Sequence, residues 1–190
     1  MILSDYTIKE LGEQVAEPFV DHQVRKEGDL GVISYGTSSY GYDLRLGDNM
    51  KVLVEGALVD PHDAKEEAYR PVAPVEFNGR KAFFLSPHQS ALVTTLEKVE
   101  VPDFALGFVQ GKSTYMRCGL LVNTTPLEPG WRGHLTINLV NTSGAFVVLY
   151  IGEGIAQMYF VRGDRPCETS YDKRGGKYQD SSADPVISRI

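Results

Sequence analysis

The chain has 190 residues, 42% of them hydrophobic, with 25 acidic against 19 basic side chains and a formal net charge of -6. That is enough apolar side chain for a packed core and too much for a disordered chain, and the length suits a single domain spanning residues 1–190. The acidic balance argues against a nucleic-acid polymer as partner, which calls for a basic surplus, but leaves room for a mononucleotide held by a few local cations.

Cys118 and Cys167 are the two cysteines, too few for a disulfide framework and not in a Cys-x-x-Cys pair. The N-terminal MILSDYTIKELGEQ has no charged-then-apolar leader pattern. No apolar run approaches the roughly 18 residues of a membrane span. A soluble, cytoplasmic protein without membrane contact is expected.

Residues 1–15 read as a short helix, with Ser4 or Asp5 as cap and Ile8, Leu11 and Val15 at helical spacing. Residues 17–36 read as loop, with Val32 and Ile33 as a possible short strand. Tyr42-Asp43-Leu44-Arg45-Leu46 alternates as a half-buried strand should. Residues 55–80 are polar and contain Pro61, Pro71 and Pro74, which marks an excursion outside the core. From residue 82, runs such as AFFL, ALVTTLEKVEV, LGFVQ, HLTINLVN and IAQMYFV are separated by turn residues, as in an all-β barrel or sandwich. Residues 163–190 are Gly- and charge-rich: either a frayed tail or a flap that orders over a ligand.

GFVQGKST at 107–114 looks like a phosphate-binding P-loop but has one residue too few between its glycines and no surrounding β-α alternation. Its Gly turn, with Lys112, Ser113, Thr114 and Arg117, still suits phosphate oxygens, although an ordinary polar turn would have the same composition. The zinc-deaminase and zinc-protease spacings are absent, and His22, His62, His88 and His134 are scattered, so no zinc is expected. Cys118 lies in an apolar run and reads as a buried small hydrophobe. In 133–141 the pleat puts His134, Thr136 and Asn138 on one face and Leu135, Ile137 and Leu139 on the other. Solvent, a cavity or another subunit must cover the polar face. Glu128, in the turn before this strand, is either a turn charge or a base beside the same cavity.

Five segments in this order carry a resemblance: ISYGTSSYGYDLRL (33–46), GKSTYMRCGLLVN (111–123), TPLEPGWRGHLTI (125–137), GEGIAQM (152–158) and CETSYDKRGGKYQ (167–179). The chain resembles the dCTP deaminases, within the trimeric dUTPase-like superfamily. The resemblance implies a mainly-β fold: a distorted β-barrel of the dUTPase-like type, with a short N-terminal helix and a C-terminal closing segment. It also implies a homotrimer with sites at subunit interfaces. The reaction implied is hydrolysis of dCTP to dUTP and ammonia without zinc, magnesium accompanying the triphosphate, with dTTP the usual inhibitor of the family. Lys112, Ser113, Thr114 and Arg117 match the phosphate turn, Ser113 and Arg117 also lying near the reacting centre. Glu128 matches an acidic residue under the sugar, and Thr124 and Trp131 fall among the nucleotide-contacting positions around it. Gln157 matches a phosphate-side glutamine, and Tyr171, Lys177, Tyr178 and Gln179 match the closing segment.

One position departs. The family strand reads roughly Gly-His-x-Thr-Leu-Glu-Phe, and its Glu shuttles protons between water and ring; here Asn138 stands in that place. An amide has no titration in the working range and cannot act as a general base. The sequence therefore supports three readings: a dCTP deaminase impaired in deamination, a diphosphohydrolase acting on dUTP or dCTP, or a trimeric nucleotide-binding protein without catalysis.

Overall fold

The computed structural model describes residues 1–189. Ser4 takes the N-cap place of α1 (Asp5–Leu11), and Gly12, at φ 54°, ends the helix. Ile8 and Val15 are fully buried, so the apolar spacing of this segment docks it onto the sheet.

Thirteen strands follow. They are β1 (Ala16–Glu17), β2 (Gln23–Glu27), β3 (Leu30–Ser38), β4 (Gly41–Leu53), β5 (Tyr69–Val72), β6 (Val75–Phe77) and β7 (Arg80–Leu85), then β8 (Ser90–Glu100) and β9 (Ala105–Gly111). After the five-residue helix α2 (Ser113–Arg117) come β10 (Leu120–Asn123), β11 (Arg132–Asn141), β12 (Val147–Tyr150) and β13 (Gly154–Arg162). The main sheet runs β10-β11-β8-β4-β13-β9, with β1, β2, β3 and β5 attached at its margins, and β12-β7-β6 form a second, three-stranded sheet. The pairings are antiparallel.

The mainly-β expectation holds, with one correction: the sheets do not close into a barrel. The two ends of the main path, β9 and β10, form no ladder with each other among the described residues. Beyond β10 the chain touches β9 at Gly107 and Leu127, which exchange two backbone hydrogen bonds of 2.8 Å, and through Thr124, whose hydroxyl donates to the Val109 carbonyl.

The core lies between the sheets. Tyr42, Leu44, Leu46, Phe83, Ile137, Leu139, Met158 and Phe160 are fully buried in it. Each such side chain contributes roughly 1.5–3 kcal/mol of burial. Glu97 is also fully buried, where its Oε1 accepts from Arg45 Nε at 2.7 Å. Burial pushes the Glu97 carboxyl above its ordinary value despite that partner.

Two local readings need correction, and a third gains detail. Residues 17–36 are largely strand, because β2 and β3 form a hairpin; β2 is mostly solvent-exposed and so shows no apolar alternation. Cys118 is exposed rather than buried, because it caps α2 instead of joining the apolar strand that follows. The excursion at 55–80 contributes two short strands, β5 pairing β4 and β6 pairing β7.

Candidate active site

Two groups of side chains emerge, although both come largely from one stretch of sequence. The first surrounds the Gly-Lys-Ser-Thr turn. Lys112 Nζ reaches Asp43 Oδ2 at 2.5 Å, and both side chains are almost fully buried. Asp43 also accepts from Gln23 Nε2 at 3.1 Å. Gln157 lies directly across the ladder from Asp43 and donates to Ser38 Oγ at 2.8 Å. Lys112 is therefore bound to an internal carboxylate, while Ser113, Thr114 and Arg117 are exposed. Arg117 Nη1 donates back to the Ser113 carbonyl at 2.9 Å, which holds the guanidinium over the turn. Thr114 lines an open cavity with Arg25, Ser34 and Arg80. Beside this turn, Met116 and Leu121 are more than half exposed.

The second group is a cavity of about 230 Å³ beside the turn before β11 and the face of that strand. Glu128, Trp131, Thr136, Tyr171 and Tyr178 line it, together with Val186. No residue of 112–117 does.

The C-terminal segment supplies Tyr171, Tyr178, Ser181 and Val186 to this cavity and is docked rather than frayed. Tyr171 N–H donates to the Pro129 carbonyl at 2.8 Å, and Trp131 Nε1 to the Tyr178 carbonyl at 2.9 Å. The Tyr171 hydroxyl accepts from Tyr178 N–H at 3.0 Å, and Gln179 Nε2 donates to the Gly130 carbonyl at 3.0 Å. Gly176 is required here, because a Cβ would sit 2.0 Å from the Tyr171 ring. Gly133, at φ 144°, lets Ser181 approach; a Cβ there would be 2.6 Å from its nitrogen. The segment then runs along β11, where His134 N–H donates to the Ser181 carbonyl and Val186 N–H to Thr136 Oγ1.

Charges fix this segment from outside. Glu128 Oε2 pairs with Arg174 Nη2 at 2.6 Å, and Arg132 Nε with Asp180 Oδ1 at 2.6 Å. Arg132 holds the Asp180 carboxyl below its ordinary value, and the Ser170 hydroxyl does the same for Asp172.

Asn138 lines neither group. It faces a neighbouring cavity of about 170 Å³ with Leu53, Val59, Tyr69, Ser90, Ala91 and Leu92. It does share its strand face with Thr136, as the pleat requires; residues 134, 136 and 138 are half-buried, while 135, 137 and 139 are buried. Thr124 is turned inward, donating to the Val109 carbonyl at 2.9 Å, and Lys177 lies outside, over the Tyr178 ring.

Of the residues singled out in the sequence, Glu128, Trp131, Tyr171 and Tyr178 are brought together, and Gln179 frames them. Lys112, Ser113, Thr114, Arg117 and Gln157 gather elsewhere. Sequence reasoning missed Asp43, Arg174 and Ser90. Asp43 stands in a quoted motif, but nothing local tells that its partner is Lys112. Among the described residues, no three His, Cys, Asp or Glu side chains converge as a metal-ligand set.

The fold belongs to a defined class. The dCTP deaminase-like family model matches residues 2–163, and the chain belongs to that family. It is 44% identical over 182 residues to a dCTP deaminase of Azotobacter vinelandii and 43% identical over 182 residues to one of Pseudomonas fluorescens, each alignment covering 94% of both chains. A solved 2'-deoxycytidine 5'-triphosphate deaminase from Agrobacterium tumefaciens shares the fold, with TM-score 0.60 and 18% identity. That match covers 85% of this chain and 48% of the other. No helix among the described residues is long and apolar enough to cross a membrane.

Proposed function

We propose that this protein binds dCTP, as its magnesium complex, in a site completed between subunits of a homotrimer, and deaminates it weakly or not at all. The observation that carries the reading is the cavity formed by Glu128, Trp131, Tyr171 and Tyr178, open along the face of β11 that also bears Asn138.

The roles follow from chemistry. Trp131 and the two tyrosines offer flat apolar surface for a base or sugar. Glu128 offers a carboxylate for a sugar hydroxyl once it is released from Arg174. The exposed Ser113, Thr114 and Arg117 offer hydroxyls and a guanidinium for phosphate oxygens of nucleotide held by a neighbouring copy. The exposed Met116 and Leu121 beside them suit burial against that copy. Magnesium travels with the triphosphate as part of the substrate. Lys112 acts indirectly, by neutralising Asp43 and fixing the turn, and Gln157 belongs to the same network. Lys177 and Gln179 hold the closing segment. dTTP competes for the same cavity, and the protein works in the cytoplasm as a single domain.

Deamination requires water to add at C4, losing a proton, and the amino group to leave as ammonia, gaining one. A carboxylate at position 138 could carry both protons. The Asn138 amide cannot, and the missing general base lowers the rate by roughly 10²–10⁴-fold. Binding needs no such proton transfer and is retained.

The test is to incubate the protein with dCTP or dUTP and magnesium, and to resolve ammonia, dUTP, dUMP and pyrophosphate. Bound dCTP with ammonia release far below that of an Asn138→Glu variant is expected. Equal release by the two proteins would overturn the reading. Pyrophosphate without ammonia would instead favour a diphosphohydrolase using Glu128, the one carboxylate lining the cavity among the described residues.

A further inference from the structure

We propose that Lys51 is a positioning residue: it pins the loop 181–189 beside the Glu128 cavity and thereby sets how long a nucleotide stays bound. The proposal rests on nucleotide binding in that cavity as argued above.

The loop leaves β11 and returns to it. At its start the Ser181 carbonyl accepts from His134 N–H at 2.8 Å, and on its way back Val186 N–H donates to Thr136 Oγ1 at 3.2 Å. Between these points it swings out over β8 to β4. The Ala183 carbonyl accepts from Thr94 Oγ1 at 2.6 Å and from Asn49 Nδ2 at 3.2 Å. At the tip, Lys51 Nζ donates to Asp184 Oδ2 at 2.8 Å and to the Pro185 carbonyl at 3.0 Å, and stands 3.4 Å from Glu66 Oε2. An ammonium has three donors, and three oxygens surround this one.

The pin is fixed and its partners are not. Lys51 pairs with Leu92 across the β4–β8 ladder, and Leu92 pairs with Asn138, so the lysine stands on the sheet face that bears Thr136. Its side chain is 12% exposed, against 63% for Asp184 and 66% for Glu66. Burial opposes the charge on Lys51, but the two carboxylates outweigh it and raise its pKa above the ordinary value. When the loop lifts, a largely buried ammonium loses two of its oxygens, which favours the docked form.

Two residues carry the pin to the cavity. Val186, one position past Pro185, lines it. Arg189 clasps Tyr178, another lining residue: its N–H donates to the Tyr178 hydroxyl at 3.3 Å, and its guanidinium lies 5.3 Å from the ring centroid. Lifting the tip therefore loosens both walls. The 55–80 excursion gains a role as the outer rest of the loop, through Glu66 and through the Pro61 carbonyl, which accepts from Ser188 Oγ at 3.1 Å.

The experiment loads the full-length protein with labelled dCTP and magnesium and chases it with excess unlabelled dCTP, which reads the dissociation rate. Lys51→Met should speed dissociation at least about threefold, as expected for a charge-assisted contact with half-exposed partners. Lys51→Arg, which keeps the charge and the donors, should stay below that mark. Asp184→Asn should speed dissociation at least about twofold, and Lys51→Met added to it should do less than Lys51→Met alone. Proteolysis of the free protein within 181–189 should quicken in step with release. A merely structural role in β4 would lower the urea midpoint and leave release from the folded protein unchanged. Should Lys51→Met not fold, Asp184→Asn decides by its own mark. Release below threefold in Lys51→Met, or Lys51→Arg as fast as Lys51→Met, overturns the pin and leaves nucleotide binding intact. No binding of dCTP by the unaltered protein overturns the cavity reading as well.

Discussion

The Gly-Lys-Ser-Thr turn and the cavity before β11 lie within one short stretch of sequence, yet they differ in almost every physical respect. The turn is anchored inward: Lys112 is held by buried Asp43, while Ser113, Thr114 and Arg117 project to solvent. The cavity is enclosed by its own chain, the C-terminal segment supplying Tyr171 and Tyr178. One region displays hydroxyls and cations beside an open cavity, and the other encloses space without lining cations for a triphosphate. The contrast teaches that proximity in sequence does not make a site. Each region has what the other lacks, which is why the proposed site draws on two copies of the chain.

The comparison can be broken or sharpened by substitution. Asn138→Glu should have the largest effect, raising ammonia release from dCTP by roughly 10²–10⁴-fold, checked by an ammonia assay at saturating nucleotide. Next comes Lys112→Met, which leaves the Asp43 carboxylate buried without its cation. Urea unfolding should show a loss of about 3 kcal/mol or more. Arg117→Ala, five residues along, should change stability by no more than about 0.5 kcal/mol but weaken nucleotide binding at least about tenfold. If Lys112 and Arg117 behaved alike, the division between an anchoring and a displaying part of the turn would be wrong.

How much of this was legible in the sequence depends on the range of the forces involved. The pleat of β11 was readable because alternation is local, and burial follows it residue by residue. The short N-terminal helix was readable for the same reason, from Ile8, although it ends at Leu11 rather than at residue 15. The β2–β3 hairpin was not, since exposed strands need no apolar alternation. Nor was the exposure of Cys118, which depends on where α2 stops. The Lys112–Asp43 pair joins residues far apart in the chain, and no local pattern encodes it. Of the site, the residues around Glu128 and Trp131 could be named together, and their closing partners came through the resemblance. The placement of Asn138 in a separate cavity depends on Val59 and Tyr69, whose segment read only as an excursion.

The smallest expected effect concerns pH. Asp180 has its folded-state pKa depressed below 3.8 by Arg132. A depressed carboxylate contributes fully above its unfolded value and loses that contribution as pH falls through the folded one. Docking of the closing segment should therefore hold from neutral pH down to about the ordinary carboxylate range and weaken only below it. Limited proteolysis between residues 163 and 189 by an acid-stable protease would show this, and Asp180→Asn should reduce the pH dependence, leaving the part that Asp172 contributes.

The most direct measurement is subunit mixing. Arg117→Ala removes a group from the displaying turn, and Trp131→Ala removes one from the cavity. Each variant alone should bind dCTP poorly. After the two are unfolded together, refolded and mixed, some assemblies would pair an intact turn with an intact cavity, and dCTP binding should reappear. Recovery of binding in the mixture is the predicted result. A mixture that binds no better than the separate variants, with exchange of subunits confirmed by mass, would contradict a site shared between copies.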